Sequence, residues 1–145
     1  MSNPSPTPAD IKFTPYEPAK DEEYMSDAQL EHFRQILINW KQQLIGEADR
    51  TKSYIQDESS AMPDINDRAT QEEEFALTLR TRDRERKLIR KIDKSIAEID
   101  NEDYGFCETC GVEIGLRRLE ARPTATQCID CKTLSEIKER QNQGA

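Results

Sequence analysis

The residues best suited to chemistry in this sequence are its four cysteines. They form two C-x2-C pairs, Cys107/Cys110 and Cys128/Cys131, separated by 17 residues. Each pair folds as a knuckle that presents two sulfurs to one ion, and two knuckles supply the four thiolates that a structural zinc prefers. Gly111, directly after the second cysteine, permits the tight turn that such a knuckle needs. The spacing predicts one structural zinc ion.

Two other interpretations of the cysteines are weaker. Two disulfides, or four unrelated thiols, are disfavoured because both the spacing and a reducing compartment oppose them. A redox role for Cys107 and Cys110 alone requires a βαβ pattern around them, which the sequence lacks. Four protein ligands leave no open position for water, so we expect no catalysis at the zinc. Since residues 105–131 contain few apolar side chains, the metal should supply most of their folding free energy.

A second set of candidate residues is acidic. Between positions 57 and 74 there is one basic residue and there are seven acidic ones: Asp57, Glu58, Asp64, Asp67, Glu72, Glu73 and Glu74. Asp64 and Asp67 lie three residues apart at a predicted turn, so both carboxylates can face one target, such as a cavity with basic residues or Mg²⁺. Alternatively, one of them caps the following helix and the glutamates complement its dipole. Composition does not separate these two interpretations.

A basic stretch follows the acidic one. Opposed only by Asp83 and Glu85, it contains seven cations: Arg80, Arg82, Arg84, Arg86, Lys87, Arg90 and Lys91. A run of charges is most often a solvated helix face. The excess of positive charge would also suit the acidic rim of a partner or a phosphorylated ligand.

Two long helices are predicted to carry these charges. The first opens with a capping box, Ser26 and Gln29, and continues with a coiled-coil seam of alternating three- and four-residue spacings: Leu30, Phe33, Leu37, Trp40 and Leu44. Pro63 ends it, and a second helix carries Phe75, Leu79, Leu88, Ile89, Ile92, Ile96 and Ile99. A short turn between them requires antiparallel packing, which gives a hairpin about 50 Å long.

The predicted fold is therefore mainly α: a long antiparallel coiled-coil hairpin, a small four-cysteine zinc-finger module and a C-terminal helix. Its parts are an extended Pro-rich arm (1–25), the hairpin (26–103) with its tip at 59–67, the zinc-finger module (104–131), and a C-terminal helix and tail (132–145). Phe13 and Tyr16 are the expected anchors of the arm, and His32 is interpreted as a helix-surface residue. The seam thins toward the tip, so we expect the hairpin to be held at its base, near the zinc.

Bulk properties disfavour several classes of protein. Net charge is −8 and the isoelectric point about 4.8, which argues against free nucleic acid as the principal partner. No apolar run approaches the roughly 18 residues that cross a bilayer. The first 20 residues lack the pattern of a signal peptide, so a cytoplasmic location is expected.

The sequence resembles the DksA/TraR family in two places. The C-terminal part is similar to the family's zinc finger in Tyr104-Gly105-Phe106-Cys107-Glu108-Thr109-Cys110-Gly111, Ile114, Arg118-Leu119, Ala121, Pro123 and Cys128-x2-Cys131. The turn Asp64-Ile65-Asn66-Asp67-Arg68-Ala69 resembles the D-x-x-D-x-A motif at the coiled-coil tip of family members. The match covers nearly everything from residue 24 to 140.

This resemblance implies a bacterial regulator of transcription that is not an enzyme and binds RNA polymerase rather than promoter DNA. The coiled coil would insert through the polymerase secondary channel and alter the stability of open promoter complexes. Asp64, Asp67 and Ala69 would be the tip residues that act near the catalytic Mg²⁺.

The resemblance also implies two further contacts. Arg84 would help to dock the coiled coil on the polymerase. Lys91, Arg122 and Lys132 would bind the alarmone ppGpp, at the interface that the regulator shares with the polymerase. We expect one structural Zn²⁺, no membrane association and a monomer.

Three other functions are compatible with parts of the sequence. A transcript-cleavage factor of the Gre type also uses an acidic coiled-coil tip, where paired carboxylates hold a second Mg²⁺ that activates water. A zinc ribbon that binds nucleic acid directly is disfavoured, because residues 105–145 carry six basic and six acidic side chains. The third is a coiled-coil adaptor with no active tip.

Overall fold

Four α-helices make up most of the structure. The computed structural model describes residues 12–59 and 65–143, with the side chains of 48, 51–59 and 65–67 outside that description. The helices are α1 (Asp27–Ser59), α2 (Ile65–Asp100), α3 (Leu116–Ala121) and α4 (Ile129–Gln143). Within the described segments there is no strand, only an isolated antiparallel bridge between Phe106 and Glu113. The predicted mainly α fold is confirmed.

The start of α1 is capped by side chains. The hydroxyl of Ser26 accepts a hydrogen bond from the backbone N–H of Gln29 at 3.3 Å. The side chain of Gln29 reaches back, as predicted, but it accepts from the N–H of Met25 at 2.7 Å rather than from that of Ser26. The reciprocal bond is therefore shifted by one residue, and the N–H of Ser26 donates to the carbonyl of Glu23 instead. These bonds satisfy donors that a helix start leaves without partners.

Ion pairs between α1 and α2 define an antiparallel hairpin. Arg34 pairs with Asp100, and the Lys41 ammonium lies 2.7 Å from the Asp93 carboxylate. Seven residues forward on α1 thus correspond to seven residues back on α2, which is one heptad of an antiparallel coiled coil. With 33 and 36 residues, each helix is about 50 Å long. Because the charged groups of both pairs are partly exposed, the pairs define the register more than they stabilise it.

The hydrophobic core lies at the base of the hairpin. The predicted seam of α1 is buried from Phe33 to Leu44, and it packs in one cluster with Ile92 and Ile99 of α2. Farther along α2, Phe75 and Leu79 are exposed by 44% and 45%. Among the side chains that the structure describes, the apolar contacts are therefore concentrated at the base, as predicted.

The zinc-finger module shares this core. Tyr104, Ile114 and Leu119 belong to the same cluster as the α1 seam, and the ring centroids of Phe33 and Tyr104 are 5.6 Å apart. Ile36, which the seam pattern did not include, is also buried at 2% exposure. A two-helix seam needs only a narrow apolar stripe, whereas a helix that also contacts a globular module needs a wider one. No helix in the described part of the chain has the length and apolar composition needed to cross a membrane.

Candidate functional site

The first C-x2-C pair forms a tight knuckle. The N–H of Gly111 donates to the carbonyl of Cys107 at 2.9 Å, and the N–H of Cys107 donates to the carbonyl of Val112 at 2.8 Å. Gly111 has φ of 78°, in the left-handed region where a Cβ is unfavourable. The turn brings Cys107 and Cys110 onto one side of the backbone, as the C-x2-C-G pattern predicts.

The second pair lies where α4 begins. Cys128 immediately precedes the helix and Cys131 lies in its first turn, where the N–H of Cys131 points at the Cys128 sulfur from 3.5 Å. A backbone hydrogen bond of 2.8 Å, from the N–H of Glu108 to the carbonyl of Thr126, joins the two knuckles. The side-chain amide of Gln127 adds a bond of 3.0 Å to the Thr109 hydroxyl. The start of α4, with the residue just before it, therefore presents one half of the ligand set, and the first knuckle presents the other.

The four sulfurs have the geometry of a zinc site. All four Sγ atoms lie within 4.8 Å of one another, and those of Cys110 and Cys128 are 3.7 Å apart. A tetrahedron with Zn–S bonds of about 2.3 Å has S···S edges of about 3.8 Å, which matches this spacing. Two ligands, Cys107 and Cys128, are buried, while Cys110 is exposed. The donor set therefore fits one tetrahedral zinc ion with no open coordination position.

The sulfurs differ in their affinity for protons. Burial tends to raise the pKa of the Cys107 thiol, but hydrogen bonds from the backbone N–H groups of Cys128, Cys110 and Thr109 outweigh it and lower the pKa to about 6. Contacts with the sulfurs of Cys128 and Cys110 raise the pKa of Cys131 above its ordinary value. One thiolate forms readily and opposes ionisation of the next, a repulsion that a divalent cation removes.

The predicted tip residues are only partly within the described structure. Asp64 lies outside the described residues, and of Asp67 only the backbone, in the first turn of α2, is described. Ala69, two residues farther along α2, is exposed. Whether either aspartate faces a target or caps α2 therefore stays a prediction.

The other predicted contact residues lie on three elements. Arg84 and Lys91 are exposed on α2, while Glu85 between them is buried at 4% exposure. Arg122 ends α3 and is exposed, and Lys132 is half-buried in the first turns of α4. The side chains assigned to polymerase docking and to ppGpp are thus accessible to a partner, except that Lys132 is only half so.

Sequence reasoning missed one polar cluster at the base. His32 was interpreted as a helix-surface residue, but its side chain is only 15% exposed and its Nε2 lies 3.0 Å from Oε2 of Glu120. The ring also packs on Phe33, with centroids 5.1 Å apart. Since Glu120 is 88 residues away in sequence, no local pattern could have predicted this pair.

Two family models match adjacent parts of the chain. Residues 29–99 match the model described as "DnaK suppressor protein DksA, N-terminal domain". Residues 102–136 match the model described as "Prokaryotic dksA/traR C4-type zinc finger". Together with the sulfur geometry, this match identifies the cofactor as one structural zinc ion held by Cys107, Cys110, Cys128 and Cys131.

Named relatives cover most of the sequence. The chain is 62% identical over 130 residues to the "RNA polymerase-binding transcription factor DksA" of Escherichia coli K12, covering 90% of this chain and 86% of the relative. The Haemophilus influenzae protein of the same name is 58% identical over 130 residues, with 90% of each chain covered. The solved structure of transcription factor DksA2 from Pseudomonas aeruginosa superposes with a TM-score of 0.75 at 39% identity, covering 81% of this chain and 90% of that one. The chain belongs to the DksA family of C4-type zinc-finger transcription factors.

Proposed function

We propose that this chain is a bacterial transcription regulator that enters the secondary channel of RNA polymerase and, together with ppGpp, alters the stability of open promoter complexes. The partner is carried over from the relatives, whose names describe RNA polymerase-binding factors and whose sequences align with 90% of this chain. Since its polymerase partner is in the cytoplasm, we propose the same location for this protein. We also propose that it acts as a monomer.

One observation carries this proposal: the apolar core of the hairpin lies at its base, and most of the described side chains farther along α2 are exposed to solvent. The core from Phe33 to Leu44 lies beside the zinc-finger module, whereas Phe75 and Leu79 are already exposed. A two-helix finger about 50 Å long is narrow enough for a channel and needs no partner to hold it together at its base. Such a shape supports insertion better than binding along an extended surface.

The tip would act by differential binding. Asp64 immediately precedes α2, and Asp67 and Ala69 lie in its first two turns, at the end of the finger opposite the zinc-finger module. A regulator shifts the equilibrium between open and closed promoter complexes only if it binds one state more tightly. Carboxylates near the catalytic Mg²⁺ and its mobile elements would make that distinction, and short-lived open complexes would respond most.

Docking and ppGpp binding would use the cations along the finger and the module. Arg84 is exposed on α2, in a stretch with an excess of positive charge that suits an acidic rim. Lys91, Arg122 and Lys132 offer charge-assisted hydrogen bonds to phosphate groups. They lie on α2, directly after α3 and on α4, and the alarmone would bind at the interface between regulator and polymerase.

The proposal assigns no catalytic step to the protein. Four thiolate ligands leave the zinc no position for water or substrate. A cleavage factor would need its tip carboxylates to hold a second Mg²⁺ and activate water. Incubation with backtracked elongation complexes separates the two functions: the RNA 3′ end stays intact if the protein is a regulator, and its cleavage would refute the non-enzymatic mechanism.

The decisive experiment uses Asp67→Asn in purified transcription with core polymerase, sigma factor and ppGpp. The variant should bind polymerase in a pull-down as the native protein does, yet lose its effect on a promoter with a short-lived open complex. Glu72→Gln is the matched control, since it removes one exposed carboxylate of the same helix outside the tip motif and should regulate normally. Normal regulation by Asp67→Asn would refute the tip mechanism.

A further inference from the structure

Residues 13–24 of the N-terminal arm, called the strap here, cross the base of the hairpin and contact both α1 and the zinc-finger module. The backbone N–H of Tyr16 donates to Oε2 of Glu120 at 2.8 Å, and the Tyr24 hydroxyl donates to the Gly105 carbonyl at 2.8 Å. The same hydroxyl accepts from the N–H of Gly115 at 2.9 Å. The strap is therefore tied to the module near both of its ends.

Glu120 on α3 is the point where three elements meet. Its carboxylate is 7% exposed and accepts from the N–H of Tyr16 in the strap, from Nε2 of His32 in α1 at 3.0 Å, and from the Arg117 guanidinium at 2.7 Å. Since a carboxylate only accepts, the imidazole is the donor in this contact. A buried carboxylate that loses these partners would carry a large desolvation cost, so the three contacts hold one another in place.

The strap is also tied to the cap of α1. The Tyr16 hydroxyl donates to the Glu22 carboxylate at 2.7 Å, and the other oxygen of Glu22 accepts from the side chain of Gln29. Gln29 is buried at 1% exposure and accepts from the N–H of Met25, just before α1 starts. The start of α1 is thus linked, through the side chains of Gln29 and Glu22, to Tyr16, whose backbone N–H binds the zinc-finger module.

Aromatic contacts close the strap over α1. The His32 ring lies 5.4 Å from Tyr16 and 6.0 Å from Phe13, measured between centroids. His32, on which both rings pack, is itself bonded to Glu120, and the burial of Glu120 at 6% exposure strengthens hydrogen bonds to its carboxylate. Glu17 adds an exposed ion pair with Arg117 at 3.3 Å, a contact of small energetic value.

We propose that the strap sets the angle between the coiled-coil hairpin and the zinc-finger module, with Glu120 as the positioning residue. The finger acts as a lever, because its far end lies about 50 Å from the base. A rotation of roughly 10° at the base moves that end by about 9 Å, more than the width of one side chain. This consequence rests on the function proposed above. A regulator that docks through its zinc-finger module and acts through its tip needs a fixed angle between the two.

Pulsed electron spin resonance on the free, zinc-loaded protein tests the angle directly. Spin labels on non-natural amino acids at exposed positions 77 and 136 leave the four cysteines to the metal. The native chain should give one narrow distance distribution between α2 and α4. Tyr16→Pro removes the donated N–H together with the Tyr16 hydroxyl and ring contacts, and Glu120→Gln removes the charge. Each should broaden the distribution of label distances by more than about 5 Å.

Glu17→Ala is the matched control, because it breaks the exposed pair with Arg117 on the same strap and leaves the Glu120 contacts intact. Zinc content and helical circular dichroism should equal the native values in all three variants, and if Tyr16→Pro loses zinc, Glu120→Gln carries the test. Native distributions in zinc-loaded Tyr16→Pro and Glu120→Gln, or equal broadening by Glu17→Ala, would overturn the proposal. Because no polymerase is present, this result does not depend on the function proposed above.

Discussion

The hydroxyl of Tyr104 donates a hydrogen bond of 2.6 Å to the backbone carbonyl of Pro123. Tyr104 follows the end of α2, and Pro123 precedes the second cysteine pair. Tyr104 is 1% exposed, and its ring packs against Phe33 of α1. One side chain therefore joins the core of the hairpin to the loop that leads into the second cysteine pair.

Tyr104→Phe should destabilise the protein without changing its shape. The substitution keeps the buried ring but leaves the carbonyl of Pro123 without its donor, which costs about 1–3 kcal/mol. Urea unfolding at saturating zinc should show a lower midpoint with an unchanged slope. An unchanged midpoint would mean that water replaces the hydroxyl at this carbonyl.

Two glycine substitutions should have opposite effects. Gly105 has φ of 98°, and a Cβ there would lie 2.8 Å from the side chain of Met25, so Gly105→Ala should cost about 1–3 kcal/mol. Gly46 lies within α1, and among the described residues a Cβ there meets only the Arg50 side chain at 4.0 Å. Gly46→Ala should therefore stabilise by about 0.5–1 kcal/mol. Thermal unfolding of both variants and the native chain measures the sign of each change in stability. Changes of the same sign would contradict the opposite effects expected from the two glycines.

Loss of one zinc ligand should unfold the zinc-finger module. Cys110→Ser is the informative variant, because Cys110 is exposed and its replacement leaves core packing nearly unchanged. Supporting residues around metal ligands typically contribute 10–100-fold in affinity, so loss of a ligand should weaken zinc binding by more than about 100-fold. Competition with a chelator measures the affinity, and limited proteolysis should then cut within residues 104–131. Native zinc affinity in this variant would exclude Cys110 as a ligand.

The contribution of Glu120 to stability should depend on pH. Burial favours its neutral form, but hydrogen bonds from Tyr16, Arg117 and His32 outweigh burial and lower the pKa of its carboxyl below the ordinary 4.5. A carboxyl whose pKa is lower in the folded state stabilises that state at pH values above its pKa in the unfolded chain. This contribution is lost as pH falls through the folded-state pKa.

The difference in unfolding free energy between the native chain and Glu120→Gln should therefore be largest near pH 7. It should shrink as pH falls below about 4.5, the ordinary value of the carboxyl. Urea titrations of both proteins at matched pH and zinc concentration measure it. A difference that stays constant down to pH 4 would show that the ionised form is not what the three donors stabilise.

Much of the architecture was determined by local sequence patterns. The zinc ligands were predictable because two C-x2-C knuckles are short-range structures whose spacing alone brings sulfurs together. The two long helices were predictable because a sustained three-four apolar repeat has one stable arrangement, and the short turn between them forced antiparallel packing. The concentration of the core at the base followed from where Phe33 to Leu44 and Ile92 to Ile99 lie on that hairpin.

Only the tertiary structure decided how the base is assembled. Glu120 binds His32 across 88 residues and the backbone of Tyr16 across 104, and neither helix pattern nor motif spacing carries information about such pairs. His32 was interpreted as a surface residue because it lies beside the apolar seam of α1 and not within it. The same holds for Tyr104 and Pro123, whose hydrogen bond exists only after the module has packed on α1. A repeat specifies which face of a helix is buried, but the partner that buries it depends on the path of the whole chain.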